Sequence, residues 1–177
     1  MNLTEKVKTG FPQEIEFPEL LSQLCSWHEH QNFDKKLSGY FELFENDREV
    51  ISAWVDRAET QKRLAVFGMS PDGGLYCIWL QNNGKKPIVY LGSGQDARVF
   101  AKDIQDFIAL LAIGYNDICS ADMSQPPDEG SLINPKFQAW VDRVLNVNIP
   151  VTGRQIVDAA VRESDNIYEW LVANCTW

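Results

Sequence analysis

The histidines, His28 and His30, lie close together near the N-terminus with Glu29 between them. A zinc site on a helix usually places two histidines four residues apart, because that spacing puts both rings on one face. Residues two apart on a helix point in different directions, so these rings would converge only in a strand or loop, together with Glu29 or Asp34. The spacing therefore favours a solvated helix end over a metal site.

Nucleophilic catalysis needs a Ser, Thr or Cys beside a base, and that base is most often His. Both histidines occupy one place in the sequence, and no Gly-x-Ser-x-Gly elbow occurs. The abundant carboxylates include Asp72, Asp96, Asp103 and Asp106, whose positions fit ordinary roles in turns, helix caps and solvated helix faces. We therefore expect no catalytic residues and no enzymatic activity.

A glycine-rich segment, Gly-Ser-Gly at positions 92–94, precedes a predicted helix. A helix N-terminus can bind phosphate, because its free backbone N–H groups point at the anion. The segment lacks the third glycine of GxGxxG and the lysine of GxxxxGK[ST], so it matches neither nucleotide-binding motif. We interpret it as a turn between a strand and a helix, and we expect no cofactor and no metal.

The charge balance bears on the kind of partner. The chain of 177 residues has 16 Lys and Arg against 25 Asp and Glu, a formal net charge of −9. A nucleic-acid binder needs a basic patch, and the densest basic runs are only the pairs Lys35-Lys36 and Lys85-Lys86. We therefore expect no nucleic-acid binding and, if the chain has a protein partner, a basic one.

Cysteine usage and the N-terminal segment indicate the compartment. The four cysteines stand far apart without a Cys-x-x-Cys pair, which argues against zinc-ribbon and thioredoxin chemistry. The sequence MNLTEKVKTGF lacks the apolar centre of a signal peptide, and no stretch approaches the roughly 20 apolar residues that span a bilayer. We expect a cytoplasmic protein with no membrane association.

The first two-thirds of the chain predict a helix followed by strands. A helix is expected at 16–27, a strand at 40–44 (YFELF), and either helix or strand at 50–58. Three apolar runs, LAVFGM, LYCIWL and IVYL, are separated by turns rich in Gly, Asn, Asp and Pro. Such runs predict an antiparallel meander.

The remaining sequence predicts helices. An apolar stripe indicates a helix over 97–113 that ends at Gly114, and a polar loop is expected at 120–133. Asn134 and Pro135 mark the start of the next helix. Thr152 with Gln155 matches a capping box that opens a last helix, broken near 164–166. The order of elements predicts the α+β class.

From residue 64 to 115 the chain resembles the SUKH superfamily of fungal cell-wall assembly regulators and bacterial immunity proteins. The resemblance rests on LAVFGMSPDGGLYCIWL, on PIVYLGSG and on VFAKDIQDFIALLAIGY, with agreement from YFELF and FQAWV. It implies a mixed or antiparallel sheet of about six strands flanked by helices, and binding of a protein without catalysis. The chain would be one SUKH-like domain over 1–177, with a core at 16–118 and extra helices at 134–177.

The resemblance and the lack of a recognisable catalytic motif together predict a non-catalytic binding protein. Many bacterial SUKH members are immunity proteins, which neutralise a toxin such as a nuclease or deaminase, and the net charge of −9 suits a basic toxin domain. One alternative is a regulatory or scaffold protein of cell-envelope assembly or signalling, with several weak partners. Another is a small-ligand hydrolytic enzyme with a deep pocket at Asp72, Asp96 and His28.

The interface is expected on the sheet surface and its turns. The residues predicted to bind the partner are Tyr40, Glu42, Asp72, Tyr76, Trp79 and Asp96. Trp79 lies in a middle strand, where a ring can face either side of the sheet, and if exposed it would be an aromatic anchor typical of a protein interface. Tyr76 and Trp79 point to opposite faces of a regular strand, so both can be buried only if helices cover both faces of the sheet.

Overall fold

The computed structural model describes residues 1–31, 37, 40–45, 48–131 and 133–176. Helices and strands alternate irregularly along this part of the chain. In chain order they are α1 Leu3–Lys8, α2 Glu19–His30, β1 Glu42–Leu43, α3 Glu49–Ser52, α4 Ala58–Gln61, β2 Leu64–Met69, β3 Leu75–Trp79, β4 Ile88–Gly92, β5 Asp96–Ala101, α5 Ile104–Ile113, α6 Pro135–Leu145, α7 Arg154–Glu163 and α8 Ile167–Asn174.

The strands form one antiparallel sheet in chain order, so each strand pairs with the next one along the chain. The predicted meander is confirmed, because β2, β3 and β4 occupy the three apolar runs. Helices together with this sheet confirm the α+β class. The described residues contain five strands where about six were expected, and the predicted strand at 40–44 is reduced to the two residues of β1.

The predicted helix at 97–113 is wrong at its beginning, because that part is the strand β5. A tight hairpin loop turns the chain back onto β4. In it Gln95 has a left-handed φ of 58° and donates its N–H to a β4 carbonyl at 3.1 Å. The helix α5 begins only after Asp103, whose side chain accepts a hydrogen bond from the N–H of Asp106 at 2.9 Å.

Alternate residues of β3 point to opposite faces of the sheet, and helices cover both faces. Tyr76 and Ile78 belong to a first core, to which α1, α2, α5 and α6 contribute. Trp79 belongs to a second core, to which α3, α7 and α8 contribute. The sheet is therefore the middle one of three layers, which explains why β3 is apolar at every position.

The C-terminal helices complete both cores. The helix α6 packs on α5, and α7 and α8 pack against β5. Ile167 and Leu171 of α8 are buried in the second core, with 2% and 0% of their surface exposed. The segment expected as an extension beyond the family core is thus part of the packed structure.

Several local predictions are confirmed at the helix ends. Asn134 caps α6 by accepting hydrogen bonds from two backbone N–H groups at 3.2 and 3.1 Å, with Pro135 as the first helical residue. Gly114 ends α5 with a left-handed φ of 94°. The predicted break near 164–166 separates α7 from α8. The helix expected at 16–27 begins and ends three residues later.

The capping box at Thr152 and Gln155 is wrong, because Gly153 is the N-cap of α7 and no side chain caps that helix. Gly153 donates its N–H to the hydroxyl of Tyr115 at 3.0 Å, so packing sets the start of the helix. The ambiguous stretch 50–58 resolves into turns and parts of two four-residue helices, α3 and α4. None of the helices in the described ranges is long and apolar enough to cross a membrane.

Candidate functional site

A hollow of about 250 Å³ lies at the end of the sheet where the β2–β3 turn meets the segment after α5. Aromatic rings and carboxylates dominate its lining. The lining residues are Tyr40, Ser70, Pro71, Asp72, Tyr90, Asp117 and Cys119. The hollow therefore brings together Tyr40 and Asp72 of the predicted interface residues.

Tyr76 and Trp79 are corrections to the predicted interface. They are 1% and 0% exposed, so neither lies on a sheet surface that a partner can reach. The physical reason is that α5 and its neighbours cover the face of Tyr76 while α3 and α8 cover the face of Trp79. Trp79 contacts the indole of Trp170 instead, with ring centroids 5.1 Å apart.

Asp96 and Glu42 lie at the surface but outside the lining of the hollow. Asp96 forms an ion pair with Arg98 at 2.9 Å, and Arg98 also donates to the carbonyl of Cys119 at 2.8 Å. Asp96 is therefore connected to the wall of the hollow through Arg98. Glu42 lies on β1, where it pairs with Met69 of β2.

The turn that carries Asp72 is fixed by hydrogen bonds. The N–H of Ser70 donates to the carbonyl of Gly74, and the N–H of Gly73 donates back to the carbonyl of Ser70, both at 2.9 Å. A side chain at Gly74 would overlap the ring of Tyr90, so glycine is required for this close approach. The ring of Tyr90 thus rests directly on the turn.

Asp72 is held as a carboxylate. The hydroxyl of Ser70 donates to it, and the hydroxyl of Tyr90 donates to it at 3.4 Å. The Ser70 hydrogen bond is the main reason that the pKa of Asp72 lies below its usual range. The carboxyl is therefore ionised at neutral pH and presents a negative charge at the mouth of the hollow.

The opposite wall of the hollow is a short segment after α5. Asp117 accepts hydrogen bonds from the N–H of Cys119 at 2.9 Å and from the hydroxyl of Ser120 at 2.7 Å. The thiol of Cys119 lies 3.1 Å from the hydroxyl of Tyr76, which ties this segment to β3. Burial raises the pKa of Cys119 to about 11 and also raises the pKa of Tyr90. These groups are therefore neutral hydrogen-bonding groups at physiological pH.

We expect Cys119 to react slowly with iodoacetamide at pH 7.5, although it lines a cavity. A thiol pKa of about 11 leaves far less thiolate than the ordinary value of about 8.5, so the rate should be about two orders of magnitude below that of the unfolded chain. Mass spectrometry of tryptic peptides, taken at successive times, measures the rate at which Cys119 is labelled. Labelling as fast in the folded chain as in urea would contradict the raised pKa, and faster labelling would show an activated thiol and reopen the case for catalysis.

The residues proposed for a hydrolytic site do not meet in the hollow. Of Asp72, Asp96 and His28, only Asp72 lines it. His28 lies on α2, where burial lowers its pKa. Within the described ranges, no group of three or more His, Cys, Asp and Glu side chains is placed to hold a metal ion. The hollow offers negative charge, aromatic rings and hydrogen-bonding groups, which suit a cationic side chain.

Sequence reasoning missed Ser70, Tyr90, Asp117 and Cys119. The sequence Ser-Pro-Asp-Gly-Gly predicted a turn, but nothing in the sequence pattern indicated that the segment after α5 would fold against that turn. Comparison of the chain with protein-family models, with curated proteins and with solved structures finds no match. The resemblance to the SUKH superfamily therefore stays a prediction.

Proposed function

We propose that this chain is a non-catalytic protein-binding domain of the immunity type, which acts in the cytoplasm and neutralises a basic toxin domain. The observation that carries the proposal is the hollow in which Asp72 and Asp117 stand beside the rings of Tyr40 and Tyr90. Carboxylates bind Lys and Arg by charge-assisted hydrogen bonds, and aromatic rings attract the same cations through their faces.

Two further properties support binding of a protein. The lining of the hollow is held by its own hydrogen bonds, so little conformational entropy is lost when a partner binds. The formal net charge of −9 attracts a basic partner over long range and speeds encounter. The SUKH resemblance supports the immunity role specifically, since many bacterial members neutralise toxins.

Co-purification of the tagged chain from its own host tests the proposal first. We expect one basic protein in stoichiometric amount, toxic when expressed alone and harmless when expressed with this chain. Several weakly held proteins would favour the scaffold alternative. An empty eluate, or a partner without toxicity, would contradict the immunity role.

Charge removal in the hollow should weaken that complex. The double variant Asp72→Asn with Asp117→Asn is expected to raise the dissociation constant about 10- to 100-fold, mainly through slower association at low salt. Surface plasmon resonance at two ionic strengths measures this. The matched control is Asp128→Asn with Asp142→Asn, which removes two charges at exposed positions outside the lining. Equal effects of both variants would show that only net charge matters and that the hollow is not the contact.

A further inference from the structure

A second, larger concave surface lies beside the hollow. It is a groove of about 510 Å³ between β5, the segment after α5 and the junction of α7 with α8. Its lining is mostly apolar. Arg98 and Val99 of β5, Cys119, Val161 of α7 and Asp165 are among the lining residues.

Hydrogen bonds fix both walls of the groove. Arg98 donates to the carbonyl of Cys119 at 2.8 Å and so holds the segment after α5 against β5. Tyr115 accepts from the N–H of Gly153 at 3.0 Å and donates to the carbonyl of Gln125 at 2.6 Å, which joins the start of α7 to the same segment. The groove is therefore preformed, as binding sites for side chains usually are.

The charges around the groove favour a cation. Arg98 is neutralised by its ion pair with Asp96 at 2.9 Å. The other charged residue of the lining is Asp165, which is exposed at the turn between α7 and α8. An apolar side chain in the groove would thus have a carboxylate at the rim, where a neighbouring Lys or Arg of the same segment can pair with it.

The groove and the hollow are neighbours, because Cys119 lines both. Val161 is 58% exposed at the groove, so its side chain is accessible to an apolar group of a partner. An apolar centre with a polar, charged rim is the usual anatomy of a protein interface.

We propose that the groove binds a segment of the protein partner in which a large apolar side chain is flanked by Lys or Arg. The apolar side chain packs between Val161 and the β5 wall, and the flanking cation pairs with Asp165. This deepens the proposed function and rests on it, because the segment belongs to the basic partner that the hollow binds.

A displayed library of random 12-residue peptides, selected on the full-length chain, provides the test. We expect enriched peptides to carry a Phe, Leu, Ile or Met beside Lys or Arg. In the ¹⁵N spectrum they should shift the amide signals of Arg98, Cys119 and Val161. Replacement of the basic peptide residues by Gln should weaken binding about tenfold. Failure to enrich any peptide, or enrichment of acidic ones, would overturn the proposal.

Two matched variants locate the site. Val161→Arg fills the groove and adds like charge, and should weaken peptide binding at least about tenfold. Val172→Arg on α8 makes the same change at a residue that is 54% exposed and outside the groove, and should leave binding unchanged. Equal binding to both variants would overturn the proposal. So would a dimer in sedimentation that Val161→Arg dissociates, because a second copy would then occupy the groove.

The outcomes separate the two proposals. Peptides that bind the groove while no partner is captured from the host would leave the groove proposal standing and contradict the immunity role. A captured toxin whose affinity is the same for Val161→Arg and Val172→Arg would support the immunity role and overturn the groove proposal.

Discussion

Replacement of Trp79 by Ala is expected to lower the free energy of unfolding by about 3–5 kcal/mol. The indole is fully buried in the second core and packs against the ring of Trp170 at 5.1 Å. Its N–H has no hydrogen-bond partner among the described residues, so the loss comes from packing and from the cavity that remains. Urea denaturation followed by circular dichroism measures the change.

Two controls define what this loss means. Trp79→Phe keeps a buried ring and removes no hydrogen bond, so its cost should be less than half of that of the Ala variant. Tyr168→Ala removes a ring that is 48% exposed and should change stability by about 0.5 kcal/mol or less. Unchanged stability of Trp79→Ala together with lost partner binding would support the original prediction of an exposed anchor.

The error over Trp79 has a physical cause that was visible in the sequence. β3 is apolar at every position, without alternation of polar residues, and such runs are typical of strands covered on both faces. The sequence pattern left open whether helices cover one face of the sheet or both, and the predicted interface placed Tyr76 and Trp79 on the sheet surface. Which face the C-terminal helices cover depends on contacts between distant segments, and no local pattern encodes these.

The strand β5 was predicted as the beginning of a helix because its residue Phe100 happens to fit the helical spacing of α5. Phe100 lies four residues before Ile104 and seven before Phe107, so it fits the helical stripe although it belongs to a strand. Asp103 was the better signal, because a cap residue marks the first turn of α5. The strands β2 to β4 were predictable because strong turn residues separate them.

The site was predictable only in part. Asp72 and Tyr40 were predicted to lie at the surface and both line the hollow, and for Asp72 the reason is that Ser-Pro-Asp-Gly-Gly is a turn by its own chemistry. Asp117 and Cys119 follow α5 by a few residues and meet the turn across more than 40 residues of chain. Contacts of that range depend on how α5 packs on the sheet, which sequence periodicity does not reveal.

Removal of α8, by ending the chain after Asn166, is expected to abolish cooperative folding. The helix contributes Ile167 and Leu171 to the second core, and the residue after it, Cys175, also belongs to that core. Loss of one buried Ile or Leu side chain costs about 2–5 kcal/mol, and the whole stability of a domain is about 5–15 kcal/mol. The hydroxyl of Thr60 would also lose its acceptor, the carbonyl of Asn174 at 2.8 Å.

Differential scanning calorimetry and the dispersion of amide signals in the NMR spectrum measure whether the shortened chain still folds cooperatively. We expect the shortened chain to show no sharp unfolding transition, whereas Leu171→Ala alone should fold with a stability lower by about 2–5 kcal/mol. If the shortened chain unfolds in an unchanged transition, α8 is not needed for folding. Binding of a partner by α8 would then be the better explanation of the helix.

The expected result also limits how binding experiments on shortened chains can be interpreted. The stretch that resembles the SUKH superfamily ends at residue 115, while the second core includes Leu171 of α8, and Trp170 of the same helix contacts Trp79. Loss of partner binding on truncation would therefore follow from unfolding and would not identify the interface residues. Only surface variants that leave both cores intact, such as those at Asp72 and Val161, can distinguish an interface from a fold requirement.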